Sequence, residues 1–280
     1  MFFFYPRVVK TRIKSIGSTG KITKAMKMVA ASKLRVATEQ VEVSRKFQEG
    51  LSKAWPEPAE SEKKGHTMYV LLTSDRGLCG GVNTQLLRQL RPILRTSAKS
   101  TFSIAPIGDK GRSALEREFS DSFTTVMAET GKVKRLTFKQ VAMEADSVNA
   151  STFDQANFLY NKFVSSQTFE PTFASVYPLE TMLSNTDIQT KYENEGSEDV
   201  YRDMWELRNA ARLFNYSAES YASETASRMN AMSSSSKNAA EMLSSISLEY
   251  NRRRQAKITS ELIEIISGAS AAEDQVKQED

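Results

Sequence analysis

The sequence predicts an α/β protein in which long N-terminal and C-terminal helices form an antiparallel coiled coil and bracket a small central domain. Near both ends of the chain, apolar residues recur every three or four positions. Between the ends, β-rich runs alternate with helical patterns. The 71 residues between Gly196 and Gly268 contain neither proline nor glycine. A helix of that length far exceeds the ~11–12 residues of an average globular helix.

Residues 1–54 are predicted to form one helix, because no proline lies between Pro6 and Pro56. Gly17 and Gly20 indicate a kink or the close approach of another backbone, since glycine costs about 1 kcal/mol in a helix interior. Residues 55–65 form a polar, proline-containing linker. Steps of three and four define one apolar stripe, as in a coiled-coil seam. Its members are Val9, Ile13, Ile16, Ile22, Met26, Val29, Ala30, Leu34, Ala37 and Val41.

The middle segment, residues 66–180, changes to an alternating pattern that favours a small α/β sheet. Helical patterns begin at Val82, Ser113 and Phe138. Residues 181–197 are predicted to be a polar loop. The predicted strands are TMYVLLTS (67–74), TFSIAPI (101–107), NFLYNKFVS (157–165) and PTFASVYPL (171–179).

Residues 198–270 are predicted to be the second long helix, followed by an acidic tail at 271–280. The stretch 222–242 is nearly all small or polar, so this part of the helix is thin. Neither long helix can bury its stripe alone, which predicts that the two pair. The C-terminal helix is the longer one, so its far end must project or enter a partner. Its stripe comprises Leu207, Ala211, Phe214, Ala218 and Tyr221, then Ala239, Leu243, Ile246 and Tyr250.

Composition excludes several classes of site. With one cysteine, Cys79, and one histidine, His66, the chain has no intrachain disulfide framework, and a zinc site or a Ser-His-Asp triad is disfavoured. No apolar run reaches the ~18 residues of a membrane span. The opening MFFFYP is too short for a signal-peptide core. The basic stretch after it resembles a transit peptide in composition, but its pattern continues into the long helix, so we interpret it as mature protein.

Two glycine-containing motifs resemble nucleotide loops. In GSTGKIT (17–23) the glycines are too close for a phosphate-binding loop, and Ile22 occupies the place of the Mg²⁺-binding hydroxyl. SDRGLCGG (74–81) lies at a strand-to-helix turn but lacks the G-x-G-x-x-G spacing. We interpret it as a structural turn in which Cys79 is a packed residue and Asp75 and Arg76 pair or cap the following helix.

Charge is unevenly distributed although the net charge is only +4. Residues 7–35 contain nine Lys or Arg and no acid. This stretch could bind nucleic acid, form a solvated coiled-coil face, or face acidic loops of a partner. Residues 250–270, YNRRRQAKITSELIEIISGAS, combine three arginines with a strongly apolar end. That end implies a sleeve made by other chains, and the alternative is an ordinary solvated arginine run.

Three stretches together resemble the gamma subunit of F-type ATP synthase: KSIGSTGKITKAMKMVAASKLR, LLTSDRGLCGGVNTQL and YNRRRQAKITSELIEIISGASA. The resemblance covers about residues 7–270. It implies a Rossmann-like central domain on the membrane c ring and a coiled coil inside a ring of three alpha and three beta subunits. Delta and epsilon subunits are the implied central-stalk partners. The implied role is a non-catalytic rotor, without a cofactor, nucleic-acid partner or membrane span of its own.

The resemblance also implies which residues contact partners. Arg254 and Gln255 match positions that reach a carboxylate-bearing loop of a beta subunit, and Thr259 lies near that contact. Met26 matches the position facing the acidic lever of a beta subunit, and Arg228 matches its companion on the other helix.

The sequence departs from the family pattern at three points, and two other functions are also considered. Gly20 replaces a polar residue usual in relatives, the tail 272–280 extends past the usual end, and the chloroplast insert with its cysteine pair is absent. The implied location is the matrix side of the mitochondrial inner membrane, peripherally bound, with the cytoplasmic side of a bacterial plasma membrane as the alternative. The rival functions are a nucleotide-binding enzyme and a nucleic-acid-binding coiled coil.

Overall fold

A computed structural model describes residues 5–54, 65–128, 136–183 and 198–279, with side chains described over 8–54, 65–128, 136–183 and 199–270. Most of the predicted linker and of the predicted loop therefore lies outside the described residues. The chain divides into two compact units. One is Met28–Ala231, and the other combines Met1–Lys27 with Met232–Asp280.

Two long helices and a four-stranded sheet make up the fold, which confirms the predicted fold class. Pro6 lies in the first turn of α1, where a proline removes no helical hydrogen bond, because the first N–H groups of a helix have no helical acceptor. The last helix continues through the backbone of the acidic tail. The helices are α1 (Tyr5–Ala54), α2 (Val82–Thr96), α3 (Asp109–Phe119), α4 (Phe138–Asn149), α5 (Leu179–Leu183) and α6 (Glu198–Glu279). The strands are β1 (Thr67–Leu72), β2 (Phe102–Ile107), β3 (Gln155–Phe163) and β4 (Phe169–Val176).

The strand order is β2-β1-β3-β4. Strand β1 pairs in parallel with both neighbours, so that Val70 lies beside Ala105 of β2 and Phe158 of β3. Strand β4 is antiparallel to β3. Because β1 is covered on both faces, it is a continuous apolar run rather than an alternating one. Each of the four predicted strands corresponds to one of these strands.

Both faces of the sheet are packed against helices of the same compact unit. On one face, Leu86 and Leu90 of α2 and Leu115 of α3 form a buried cluster with the strands. On the other face, Val141 of α4 and Leu213 of α6 pack on the sheet. The α6 segment that contains Leu213 therefore belongs to the α/β domain as well as to a helix pair.

Within Met28–Ala231, α1 and α6 pack as an antiparallel pair. Ala37 and Val41 form a buried cluster with Ala218 and Ala222. Farther along α1, the side chain of Gln48 accepts a hydrogen bond from Asn215. Later residues of α1 thus meet earlier residues of α6. The small residues at this contact let the two helices approach closely.

In the other unit, Gly20 faces Ala239: a Cβ at position 20 would lie 3.5 Å from the Ala239 Cβ. The glycine therefore marks a close helix approach, one of the two alternatives predicted for it.

The prediction of the apolar stripes is wrong for three members, because Ile22, Val29 and Leu207 are 59%, 58% and 45% exposed. In a straight helix, residues that follow a strict three-four repeat rotate slowly around the helix axis. In this part of α1 the buried residues are therefore Thr23 and Ala30.

Candidate partner-binding surfaces

The end of α6 presents an unpaired apolar surface, here named the C-terminal stripe and defined as Arg254, Gln255, Ile258, Thr259, Leu262, Ile263, Ile265 and Ile266. At about 100° per residue, these side chains fall within roughly one half of the helix circumference. The isoleucines and Leu262 are 48–68% exposed. So much exposed apolar surface on one side of a helix is typical of a binding surface.

On the opposite side of the same segment, charged side chains form ion pairs with one another. Arg253 forms an ion pair with Glu249 at 2.5 Å, and Lys257 pairs with Glu261 at 3.3 Å. In the described part of the chain, the Arg254 guanidinium has no hydrogen-bond or ion-pair partner. Unlike Arg253 and Lys257, Arg254 therefore lies at the edge of the apolar stripe with its hydrogen-bonding capacity unused.

The polar members of the stripe differ in how they are held. Thr259 donates its hydroxyl to the backbone carbonyl of Gln255 at 3.0 Å. The Gln255 side chain takes no part in this bond and is exposed, next in sequence to Arg254. A guanidinium and an adjacent amide together suit a pair of carboxylates or a carboxylate and a carbonyl.

Met26 lies on α1 in the same compact unit as the C-terminal stripe. Its side chain is half-buried, whereas the lysines at positions 24 and 27 are exposed. The surface around Met26 is therefore basic with a small apolar centre. Such a surface fits an acidic helix or loop with an apolar side chain at its tip.

Arg228 lies in the other unit and is held within it. Its guanidinium pairs with Glu224 at 2.5 Å and donates to the carbonyl oxygens of Arg76 and Gly77 at 3.5 and 3.4 Å. Burial raises the pKa of Glu224, and the Arg228 charge opposes this shift. Arg228 therefore ties α6 to the loop that follows β1.

That loop, SDRGLCGG, is fastened to α6 and keeps one apolar side chain outward. The Ser227 hydroxyl donates to the Cys79 carbonyl at 2.5 Å. Leu78 has a φ of 63°, which is costly for a leucine, and is 64% exposed. Strain at an exposed leucine favours a contact role. Sequence reasoning missed Leu78; the available signal was an apolar residue at the tip of a polar turn.

The loop's acidic residue contacts a helix that the prediction did not include. Asp75 accepts a hydrogen bond from the backbone N–H of Asp109 at 3.2 Å, so it caps the start of α3. Because β1 and β2 are neighbours in the sheet, the loop after β1 lies beside the start of α3. Cys79 is buried, as predicted, and contacts Ser74 and Asn83.

Helix α6 fills the place where α/β sheets bind ligands. Such sites lie at the carboxyl ends of the strands, where the strand order reverses, here between β1 and β3. Ser223 donates to the Asn161 carbonyl at 3.1 Å, and the Ser220 hydroxyl accepts from the Asn161 N–H at 3.3 Å. Ser227 binds the β1 loop on the other side. In the described ranges, no cluster of three or more His, Cys, Asp or Glu could hold a metal.

A buried carboxyl group lies near the same loop and gives a pH-dependent prediction. Burial and the nearby Asp75 raise the pKa of Glu144 to about 7. The folded chain holds this proton more tightly than the unfolded chain, so the contribution of Glu144 to stability is greatest below about pH 4.5 and is lost as pH rises through 7. We expect Glu144→Gln to raise the free energy of unfolding by about 2–3 kcal/mol at pH 8 and far less at pH 4.5.

Urea unfolding of the purified chain at both pH values measures the effect. Glu118→Gln is the control, because Arg95 lowers the pKa of Glu118 and the pH-dependent change should have the opposite sign. A Glu144→Gln gain that is equal at pH 4.5 and pH 8 would show that Glu144 does not titrate between them.

The chain is similar to known proteins over most of its length. The family model described as ATP synthase matches residues 6–272. The mitochondrial ATP synthase gamma subunit of Arabidopsis thaliana is 38% identical, with 95% of this chain and 85% of that protein covered. The chain belongs to the ATP synthase gamma-subunit family. The gamma chain of Jannaschia sp. is 37% identical, with 94% of this chain and 98% of that protein covered.

The fold comparison agrees with the family. A chain of the Euglena gracilis mitochondrial ATP synthase, in a structure described as OSCP/F1/c-ring in rotational state 3, aligns with a TM-score of 0.85 at 21% identity. The alignment covers 95% of this chain and 94% of the Euglena chain. As a gamma subunit, this chain is a central-stalk component of F-type ATP synthase, which confirms the family and the general function predicted from the sequence. In the described ranges, no helix is both long and apolar enough to cross a membrane.

Proposed function

We propose that this gamma subunit is a non-catalytic shaft that couples rotation of a membrane c ring to conformational change at catalytic sites on beta subunits. The observation that carries the proposal is the C-terminal stripe. Its apolar face and Arg254 have no partner in the described part of the chain, whereas the cations on the opposite face are paired. Such a surface fits a sleeve formed by other subunits.

The proposed contacts are asymmetric. Arg254 and Gln255 would bind carboxylates of one beta subunit at a time, with Thr259 beside them, because one helix cannot present the same face to three subunits. Met26 would face an acidic element of a beta subunit through the basic surface around it. Each angular position would then favour a different beta conformation, and nucleotide affinity would follow from these differential contacts.

Arg228 takes a different part in the proposal. Since its guanidinium already binds Glu224 and the carbonyls of the loop, it would act by holding Leu78 outward toward a partner. The delta and epsilon subunits and the c ring are the other proposed partners, at surfaces distinct from the C-terminal stripe. The description of the Euglena assembly, which includes a c ring, supports the c ring as a partner.

The internal packing argues against one of the two rival functions, a nucleotide-binding enzyme. Helix α6 and its serines occupy the crevice at the carboxyl ends of β1 and β3. The GSTGKIT motif lies inside α1, where its backbone N–H groups are committed to helical hydrogen bonds. We therefore place the catalytic sites on partner subunits and propose that this chain uses no cofactor of its own.

We propose that the complex lies peripherally on the matrix side of the mitochondrial inner membrane. The mitochondrial relative supports this location, and the gamma chain of Jannaschia sp. keeps a bacterial plasma membrane as the alternative.

Affinity purification of the tagged chain from native membranes tests the proposed function, combined with equilibrium dialysis of the isolated chain against ATP and NAD. We expect the chain to co-purify with larger nucleotide-binding subunits and to bind neither nucleotide stoichiometrically by itself. Tight one-to-one binding of ATP or NAD by the isolated chain would contradict its proposed role as a non-catalytic shaft.

A further inference from the structure

Glu219 of α6 lies at the centre of a buried hydrogen-bond network that joins three elements. It is 2% exposed. Its carboxylate accepts hydrogen bonds from Arg45 Nε at 2.7 Å and Arg45 Nη2 at 2.9 Å, and from the Phe163 backbone N–H at 2.6 Å. Arg45 also donates to the Phe163 carbonyl at 2.6 Å. One carboxylate thus links α1, α6 and the end of β3.

Further hydrogen bonds attach the β3 end to α6 on either side of this point. Asn161 exchanges hydrogen bonds with Ser220 and Ser223. Beyond the strand, the Asn230 side chain donates to the Ser166 carbonyl at 2.8 Å. These side chains of α6 face the same strand and the turn after it. The strand end is therefore held at successive turns of the helix.

The other contacts between the long helices and the rest of this compact unit include two kinds. One kind is apolar packing and small residues, such as Leu213 on the sheet and the cluster of Ala37 and Ala218. The other is hydrogen bonding of Ser227 and Arg228 to the loop after β1, which does not reach α1. Apolar contact resists separation but has no preferred direction in the contact plane. A bidentate Arg–carboxylate pair fixes both distance and orientation, and its charge-assisted bonds are roughly twice as strong as neutral ones.

We propose that Glu219 is a positioning residue that transmits torque between the α/β sheet and the helix pair, by locking Arg45 of α1 and the end of β3 to α6. The inference rests on the proposed function, because torque passes through the chain only if it rotates. Glu219 contacts no reacting atom and acts through the stiffness of the subunit.

Glu219→Gln is the most direct variant, since it keeps the shape and an acceptor for the Phe163 N–H but loses the charge and one acceptor for Arg45. Glu118→Gln is the matched control. It removes an Arg–carboxylate pair from the same domain, Arg95 to Glu118 at 2.7 Å, that joins α2 to α3 and does not involve α6.

The experiment uses the assembled complex with its head immobilised and a bead attached through a cysteine introduced at the exposed Asp121. Angular fluctuations of the bead during ATP-waiting pauses give the torsional stiffness, and unloaded ATP hydrolysis is measured in parallel. We expect Glu219→Gln to lower the stiffness at least about twofold while hydrolysis stays within about twofold of the unsubstituted complex. Glu118→Gln should change neither.

Unchanged stiffness in Glu219→Gln would overturn the inference. If that variant does not assemble, Arg45→Lys keeps the cation without the two parallel bonds, and the same loss of stiffness is expected from it. Lower thermal stability with unaltered stiffness would assign Glu219 a purely structural role and reject the inference. If the unsubstituted complex hydrolyses ATP without rotating the bead, the proposed function fails, whatever the variants do.

Discussion

Replacing Arg254 and Gln255 together by alanine is expected to lower steady-state ATP hydrolysis of the assembled complex at least about tenfold, or to reduce its assembly, with the α/β domain still folded. The contact that is lost would be a charge-assisted one with a beta subunit, and breaking such a partly buried pair typically costs about 2–5 kcal/mol. Because ten-fold in rate corresponds to about 1.4 kcal/mol, even the lower figure predicts a clear loss. ATP hydrolysis per assembled complex is the measurement.

Arg253→Ala is the matched control, because Arg253 belongs to the same arginine run but pairs with Glu249 on the opposite face. It should retain most of the activity. Arg252 lies about 160° round the helix from Arg254, at the other edge of the C-terminal stripe, and should matter less than Arg254. Equal losses of ATP hydrolysis for all three arginines would show that only the general positive charge of the run matters. Full activity of the double variant would show that Arg254 and Gln255 make no important contact with a beta subunit.

Gly108→Ala is expected to destabilise the α/β domain by about 4 kcal/mol, as the sum of backbone strain and overpacking. Gly108 has a φ of 101°, and a Cβ there would lie 2.1 Å from the Thr73 carbonyl oxygen. Both strands that meet at this point would have to shift, since Thr73 donates its N–H to Ile107 at 2.8 Å. Urea unfolding of the purified chain measures the loss.

Gly81→Ala provides the comparison for that experiment. Gly81 has a φ of −91°, and nothing lies within 4 Å of a Cβ built on it. Its substitution should change the free energy of unfolding by less than about 1 kcal/mol. A similar cost at the two positions would show that the close contact at Thr73 is not the cause of the loss.

Local signals predicted the elements of this fold. The absence of proline and glycine from 197–267 is a property of the sequence itself, and the helix that it predicts is present. The β-rich runs were equally visible, because a central strand such as β1 must be apolar on both faces. The pattern of the C-terminal stripe could also be recognised, since three arginines followed by an unmatched apolar repeat lie within five turns of one helix.

Other features depended on residues that are distant in sequence. Arg45, Phe163 and Glu219 meet through tertiary packing, and none of them belongs to a motif. Asp75 caps α3 because β1 and β2 are neighbours, which the order of elements alone does not determine. The outward direction of Ile22 and Val29 reflects helical drift, whose phase depends on where the partner helix makes contact. Long-range contacts therefore account for most of the differences from prediction.

Direct observation of rotation tests the central claim. The catalytic head would be immobilised, a bead attached through a cysteine at Asp121, and ATP added to single complexes. The shaft predicts ATP-driven rotation in one direction, with three resting positions per turn set by the three beta subunits. Sustained ATP hydrolysis with the bead at one fixed angle, or with only random angular motion, would contradict it.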